Sequence, residues 1–509
     1  PLQGKGSLLQ RLDGFPLWLT RWSRDGKRIF YEADDNLFAL NVSSGQSEQL
    51  THFSPGKKHF SLSLREDWLV YDEAKDQTSQ IFAEPLSGGT PVQLTNEGEG
   101  NLYPLWLPDG ERVLYSSKRN GVYQICVAWL DKRKPVQLTF GHENLTPWYV
   151  DPEGHRIFYV SSRQESDLVL CDAGGTGHET LFTSDILLDL SPRFSPDGSA
   201  LAFQQVDAND NLFVGKLLIK PLTGGESQSA GSGFDPRWAP NGDLLAYLRR
   251  NGKTFELCVS HRDGTGERVL VRDKITFNSF DDQSYAWAQP DNFSWSPDGE
   301  LIAYSSTQAG AMNIHTVAVK DGAQKSLSQN ENPAARLVSP SWSPNGDRLA
   351  YLRQQGAAGD RESALVVWQP GKINTVFTTK QQMRLLGWDG SAQAFWVATA
   401  EQLRRPVELT LLRVPLDGRQ PQTIRRLPAS YLNSLAFAPE RSDVAFVSRK
   451  NGRDEVWRIS LETNRSQLVA ANSDPYDYLS GIAWSPEQRH LCYAKQSNFD
   501  SIWMIENFK

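Results

Sequence analysis

One motif recurs along this 509-residue chain and constrains its fold more than any other feature. It consists of an aromatic residue, a tight turn and a short β-rich run, as in Phe194-Ser-Pro-Asp-Gly198 and Trp295-Ser-Pro-Asp-Gly299. Proline presets φ at about −65° in such a turn, and glycine supplies the positive φ with which the chain reverses. Each copy therefore predicts the tight turn of a β-hairpin.

The spacing of the copies indicates the architecture. Counting degenerate copies, the anchor residues that precede the turns lie at 22, 64, 106, 149, 194, 238, 295, 342, 388, 437 and 484. A period of about 40–50 residues is typical of a four-stranded propeller blade. The copy Leu64-Arg-Glu-Asp67 has lost the motif, and its anchor is assigned by spacing alone.

The residues after each turn predict three more strands. Arg112-Val-Leu-Tyr115 follows one turn directly, and Tyr123-Gln-Ile-Cys-Val127 comes after a polar turn. A last strand ends in Gln-Leu-Thr, as at Gln137–Thr139. No long helical period alternates with these strands, so a parallel α/β core is not expected. The sequence predicts an all-β fold, a β-propeller of about eleven four-stranded repeats.

Eleven blades exceed the four to eight of a typical ring, which favours two packed propellers. The longest gap between anchors contains residues 273–292 and suggests a boundary between residues 1–275, with about six blades, and 276–509, with about five. The last repeat ends without a fourth strand, and residues 7–12 resemble the Gln-Leu-Thr strands. Residues 1–12 are therefore expected to complete the last blade. Because that closure joins first and last repeats, one large ring stays open as an alternative.

Composition and short motifs exclude several functions. A net charge of −7 argues against a general nucleic-acid binder. The chain has no apolar run long enough for a membrane helix, although an anchor in the parent protein stays open because the sequence begins at Pro1. Its four cysteines form no C-x-x-C pair and are expected to be buried.

No catalytic motif is evident, and we expect no enzyme activity, cofactor or metal. The chain lacks the G-x-S-x-G of serine hydrolases and the H-E-x-x-H of metalloproteases. Ser195 and Asp197 have equivalents in other repeats, such as Ser296, Ser343 and Asp298, and are expected to form turns. His52, His59 and His142 are interpreted as solvated loop residues.

The repeated Trp-Ser-Pro-Asp-Gly turn and Gln-Leu-Thr strand resemble the WD-like repeat of TolB-type propellers over nearly the whole chain. The resemblance implies a periplasmic or otherwise extracytoplasmic protein. Similar propellers occur in partner-binding proteins, as gating domains of prolyl-oligopeptidase-like and tricorn-like peptidases, and as sensor portions of CadC/ToxR-like transcriptional regulators.

We predict a non-enzymatic recognition module that binds a protein, peptide or small ligand at a propeller mouth. The alternatives are the substrate-recognition propeller of a peptidase and a propeller-type polysaccharide lyase or glycosidase. Aromatic and polar loops before the innermost strands are the predicted contacts, because Tyr and Trp are favoured at recognition surfaces. These candidates are Trp18, Tyr103, Tyr285, Trp287, Asp474, Tyr476, Asp477 and Tyr478.

Overall fold

A computed structural model describes most of the chain as antiparallel β-sheet. The described residues are 20–53, 57–75, 78–98, 100–119, 121–175, 179–183, 187–207, 213–252, 254–272, 292–307, 310–356, 362–401, 407–429, 435–439, 442–506 and 508. Trp18, Tyr285, Trp287, the segment 1–12 and the predicted boundary at 275/276 lie outside them.

The chain forms two compact units, Pro1–Arg163 with Phe499–Lys509 (unit 1) and Gln164–Asn498 (unit 2). Blades 1 to 3 of unit 1 are complete four-stranded sheets. Their strands are β1 (Thr20–Trp22), β2 (Arg28–Ala33), β3 (Asn36–Asn41), β4 (Ser47–Gln49), β5 (Lys57–Leu62), β6 (Trp68–Lys75), β7 (Thr78–Pro85), β8 (Val92–Gln93), β9 (Asn101–Trp106), β10 (Arg112–Arg119), β11 (Val122–Trp129) and β12 (Val136–Gln137).

Blades 5 to 10 belong to unit 2. Their strands are β16 (Leu188–Phe194), β17 (Ala200–Val206), β18 (Gly215–Pro221), β19 (Gln228–Trp238), β20 (Leu244–Asn251), β21 (Thr254–His261), β22 (Arg268–Val271), β23 (Phe293–Trp295), β24 (Leu301–Ser306), β25 (Asn313–Ala318), β26 (Gln324–Ser326), β27 (Arg336–Trp342), β28 (Leu349–Gln355), β29 (Glu362–Gln369), β30 (Lys372–Thr379), β31 (Gln382–Trp388), β32 (Ala394–Ala400), β33 (Val407–Pro415), β34 (Gln422–Ala429), β35 (Leu435–Phe437), β36 (Asp443–Lys450), β37 (Arg453–Ser460) and β38 (Ser466–Ala471). β19 ends blade 5 and begins blade 6.

The other two blades share a pair of 16-residue strands, β14 (Ile157–Asp172) and β40 (His490–Ile505). In unit 1, blade 4 contains β13 (Asn144–Val150), residues 157–163 and residues 499–505. In unit 2, blade 11 contains β39 (Tyr478–Trp484), residues 490–498, residues 164–172 and β15 (Glu179–Leu181). The described residues thus form the eleven blades that the repeat predicted.

Unit 2 is a closed ring of seven blades in its described residues. Each neighbouring pair of blades shares a buried apolar cluster. The seventh cluster joins the last blade to the first: Leu168, Cys492 and Ala494 of blade 11 pack with Leu201 and Phe203 of blade 5. The long strands therefore close the ring.

The division into units differs from the predicted one. Blades 6 and 7 flank the long gap, yet Leu257 and Val259 of blade 6 pack in one core with Ile302 and Val317 of blade 7. Both sides of the predicted boundary therefore belong to unit 2. In the described residues, the blades on either side of the long gap are therefore neighbours in one ring.

Two repeated hydrogen-bond patterns explain the sequence motif. In the turns, the Ser195 hydroxyl donates to Asp197 Oδ1 (2.5 Å) and accepts from the Ala200 N–H (3.0 Å). The anchor tryptophan donates its indole N–H to the previous blade, as from Trp484 to the Ala436 carbonyl (3.0 Å). The motif thus fixes each hairpin and joins it to its neighbour.

Candidate functional site

Each blade has two unlike ends, because its strands are antiparallel. The Ser-Pro-Asp-Gly turns lie at the turn end, after the innermost strand. The segments that enter the innermost strands lie at the opposite end, here called the loop end. Since the turns repeat and the loops do not, specific recognition is expected at the loop end.

The loop between β38 and β39 carries four of the predicted contact residues and folds around its own polar groups. The Asp474 carboxylate accepts a hydrogen bond from the Tyr476 N–H (2.9 Å), which is an Asx-type turn. The Asn472 side chain donates to the Asp477 carbonyl (3.1 Å). These bonds fix the backbone on both sides of Tyr476.

An ion pair supports this loop from blade 10. Arg449 lies 3.1 Å from the fully buried Asp454 carboxylate and donates to the Pro475 carbonyl at 2.8 Å. The second Asp454 oxygen accepts from the Leu479 N–H (3.0 Å). The Arg449 guanidinium also lies 4.8 Å from the centre of the Tyr478 ring, within cation–π range. Tyr478 therefore helps to hold the loop.

A second ion pair supports the loop from blade 11. The Asp477 carboxylate is buried, lies 3.1 Å from Lys495 Nζ and accepts from the Ser497 hydroxyl at 2.7 Å. Tyr476, in contrast, is 71% exposed. The structure therefore brings the four residues together but divides their roles. Asp474, Asp477 and Tyr478 position the loop, and Tyr476 is presented to solvent.

Tyr103 lies in unit 1 and belongs to a separate cluster. Its ring centre is 4.3 Å from that of His59, and its N–H donates to Asp72 Oδ1 (3.4 Å). His59 Nδ1 lies 2.6 Å from the same carboxylate oxygen. Burial raises the pKa of Tyr103, and the negative charge of Asp72 acts in the same direction. Burial also raises the pKa of Asp72, although the bond to His59 opposes it.

His59 is not the solvated loop residue that the sequence analysis expected. It lies within β5 with only 14% of its side chain exposed, whereas His52 and His142 are exposed. Its φ is +50°, at a point where β5 breaks register with β6. Such a β-bulge redirects a side chain, which here meets Asp72.

The bulge recurs in other innermost strands, three positions before the anchor. Positive φ values occur there at Tyr103, Ser191, Asp235, Ser339 and Gly481. In blade 6 this residue is the buried Asp235, 3.1 Å from Arg237. The backbone conformation therefore repeats while the chemistry changes. The residue three positions before the anchor differs from blade to blade, and this variation is the sequence signal that could have identified His59.

The serines of the turns and the cysteines have structural roles in the described residues. Ser296 is buried and donates to Asp298 (2.5 Å), and Ser343 is buried and donates to Asp347 (3.0 Å). Burial raises the pKa of Cys171 and of Cys258 to about 12, which disfavours a reactive thiolate. All four cysteines are buried, as predicted.

The turn end of unit 2 has a cavity of about 340 Å³ against the anchor residues of three blades. Trp295, Trp342 and Trp388 contribute to its lining. The indole N–H groups of Trp295 and Trp388 are already bonded to backbone carbonyls. Asp389, also in the lining, is paired with Arg413 at 2.5 Å. The lining of this cavity is therefore both polar and apolar.

The described residues contain no group of three or more His, Cys, Asp or Glu side chains arranged to hold a metal ion. Within the same residues, no helix has the length and apolar character needed to cross a membrane.

Solved structures with a similar fold include several propellers. A TolB homologue from Agrobacterium tumefaciens is 15% identical, covering 65% of this chain and 98% of its own, with a TM-score of 0.37. An oligogalacturonate lyase solved with manganese is 12% identical, covering 69% of this chain and 96% of its own, with a TM-score of 0.45. At these identities the likeness concerns the fold alone.

Sequence comparison adds one curated relative and one family. An uncharacterized peptidase, YuxL, from Bacillus subtilis (strain 168) is 30% identical over 122 residues, which is 22% of this chain and 16% of the relative. The match thus spans about a sixth of that protein. The TolB β-propeller domain model matches residues 155–367. Residues 155–367 are therefore similar to the TolB β-propeller domain family, and the repeated four-stranded sheets have a β-propeller fold.

Proposed function

We propose that this chain is a non-enzymatic recognition module that binds a protein, peptide or small ligand at the loop end of unit 2. The observation that carries the proposal is the loop around Tyr476, an exposed aromatic side chain on a backbone held by two ion pairs with buried carboxylates. A single exposed aromatic residue is ordinary. An exposed aromatic residue on a rigid backbone resembles a binding hot spot, because little conformational entropy is lost when a ligand binds it.

The bonding of the turn serines favours binding over catalysis. The turn serines are buried and bonded to carboxylates that belong to the same turns, so their hydroxyls serve the fold. We further propose an extracytoplasmic location, which the TolB-type family implies. A sensor role in a transcriptional regulator stays a prediction from the resemblance.

A peptide-binding experiment tests the proposal. Peptides selected from a random phage-displayed library on the immobilised full chain are measured against wild type and Tyr476→Ala. We expect the substitution to weaken binding about tenfold or more, as at a hot spot. The matched control is Tyr149→Ala, which removes a tyrosine that is 50% exposed in unit 1. Equal losses in both variants, or a library that yields no binder, would count against the proposal.

The peptidase alternative is favoured by the YuxL match. In that case the propeller recognises a substrate for a catalytic domain elsewhere in the parent protein. Sequencing the parent gene beyond both ends of this chain distinguishes the two. A G-x-S-x-G domain establishes the peptidase assignment, and its absence leaves the recognition module.

A further inference from the structure

The turn end of unit 2 has a second cavity, of about 440 Å³, which is lined by residues of blades 7 and 8. Leu301 of blade 7 contributes to the lining, together with Trp342 and Trp368 of blade 8. The volume lies within the range of small-ligand pockets, so the cavity can accept a side chain of a partner. Other blades show which chemical group fits beside an anchor tryptophan.

Arginine side chains cover the anchor tryptophans of three other blades in this unit. The guanidinium carbon lies between 5.5 and 5.7 Å from the ring centre, which is within cation–π range. The three pairs are Arg262 with Trp238, Arg348 with Trp388, and Arg458 with Trp484. Within the part of the chain that the structure describes, no cation lies over the ring of Trp342. Its ring therefore lacks the partner that these three anchors have.

Leu301 stands where an arginine would cover Trp342. The turn bond from the Ser343 N–H to the Arg348 carbonyl (2.8 Å) has an equivalent from the Ser296 N–H to the Leu301 carbonyl (2.9 Å). Leu301 of blade 7 therefore corresponds to Arg348 of blade 8. Because Arg348 covers the anchor of the next blade and Leu301 carries no charge, the anchor of blade 8 lacks a cation, and the cavity lies beside it.

The charges at this cavity favour a cation over an anion. The Asp347 carboxylate contributes to the lining, and 54% of its side chain is exposed. Arg348 also lines the cavity, but its Nε lies 3.3 Å from Asp347 Oδ1 and its guanidinium already covers Trp388. The faces of the tryptophan rings carry partial negative charge, which attracts a cation and repels an anion. A planar, weakly hydrated guanidinium suits such a face better than an ammonium group does.

We propose that this cavity binds the guanidinium group of an arginine in a partner peptide, beside Trp342, as Arg348 lies over Trp388. The aliphatic stem of that arginine packs against Leu301. The site lies at the turn end and is separate from the loop around Tyr476, so it does not depend on recognition at the loop end. A single cation–π contact contributes little binding energy, and one arginine is therefore expected to bind in the millimolar range.

An NMR titration of the ¹⁵N-labelled full chain with the peptide acetyl-Gly-Arg-Gly-amide tests the site. We expect the indole N–H signal of Trp342, assigned by its loss in Trp342→Phe, to shift. The signal of Trp238, which Arg262 already covers and Trp238→Phe assigns, should stay in place. A matched peptide with citrulline keeps the shape of arginine without its charge and should bind about 2- to 30-fold more weakly. Equal binding of the two peptides, or an unshifted Trp342 signal, would overturn the proposal.

Substitutions of Leu301 test the mode of binding independently. Leu301→Arg supplies an arginine within the chain, which should cover Trp342 and abolish binding of the arginine peptide, while the other indole signals show that the variant is folded. Leu301→Met, the matched control, keeps a similar volume without charge and should bind as wild type does. Tyr476→Ala should also bind the arginine peptide normally, which separates this site from the loop end. Binding that persists in Leu301→Arg, or that is lost in Tyr476→Ala, would contradict the proposal.

Discussion

At the scale of single residues, the repeat separates structural side chains from specific ones. Ser195 and Ser296 look like catalytic candidates in isolation, but each is bound to the aspartate of its own turn. Tyr476, His59 and Asp235 occupy places where the blades differ. Position in the repeat therefore identifies a residue's role better than its chemistry does.

Glu32 gives a prediction about pH at this scale. Burial raises its pKa above the ordinary value of 4.5. The folded chain thus holds this proton more tightly than the unfolded chain. The contribution of protonated Glu32 to stability is complete below about pH 4.5. It is lost as the pH rises through the pKa that Glu32 has in the folded chain. Glu32→Gln, which stays neutral, should match the wild-type Tm at about pH 4 and exceed it at about pH 7.

Thermal unfolding at the two pH values checks this prediction. Glu48→Gln, which removes an exposed carboxylate from β4, controls for the change in net charge. A lower Tm for Glu32→Gln at neutral pH would mean that the ionised carboxylate stabilises the fold.

At the scale of elements, the Gln-Leu-Thr strand is a built-in connection between the third and fourth strands. The Thr51 hydroxyl accepts from the Leu37 N–H (2.9 Å) and donates to Asn36 Oδ1 (3.1 Å), while Gln49 donates to the Thr51 carbonyl (2.7 Å). The same arrangement recurs at Thr95. The motif therefore stabilises each blade and carries no ligand specificity.

Substitution of Thr51 tests this connection. Thr51→Val leaves the buried Leu37 N–H without an acceptor and should lower the free energy of unfolding of unit 1 by about 1–3 kcal/mol. Thr51→Ser keeps the hydroxyl and should cost clearly less. Denaturant unfolding of the two variants measures the difference, and equal losses would show that the hydroxyl is unimportant.

The turn residues made the strands predictable from sequence. Where a repeat has lost those turn residues, its anchor was misplaced. Turn chemistry defines clear copies such as Trp295-Ser-Pro-Asp-Gly299, but the copy placed at Leu64 has neither Pro nor Gly. The structure aligns Ser63 with the other turn serines, through its bond to Asp67, so the anchor is Leu62. With that shift His59 falls three residues before its anchor, at the bulge.

At the scale of the whole molecule, the number of blades was predictable but their grouping was not. Spacing counts repeats, whereas grouping depends on where β14 and β40 continue from one sheet into another. No local signal marks residues 163/164 or 498/499, because both strands continue without a turn there. Long-range packing, as between Leu168 and Phe203, determines the ring.

A chain cut tests this closure. A protease site replacing residues 184–186 separates residues 164–181 from the rest of unit 2. Because blade 11 needs strands from both fragments, the cleaved chain should elute as one species in size-exclusion chromatography and separate only in denaturant. Fragments that separate under native conditions would contradict the closed seven-bladed ring.

We propose that recognition occurs at the loop end of unit 2, around Tyr476. Hydrogen–deuterium exchange of the full chain, with and without a library-selected peptide, tests this proposal most directly. We expect the peptide to slow exchange most strongly in residues 472–478. Slowed exchange confined to the turn end, around Trp295, Trp342 and Trp388, would contradict it.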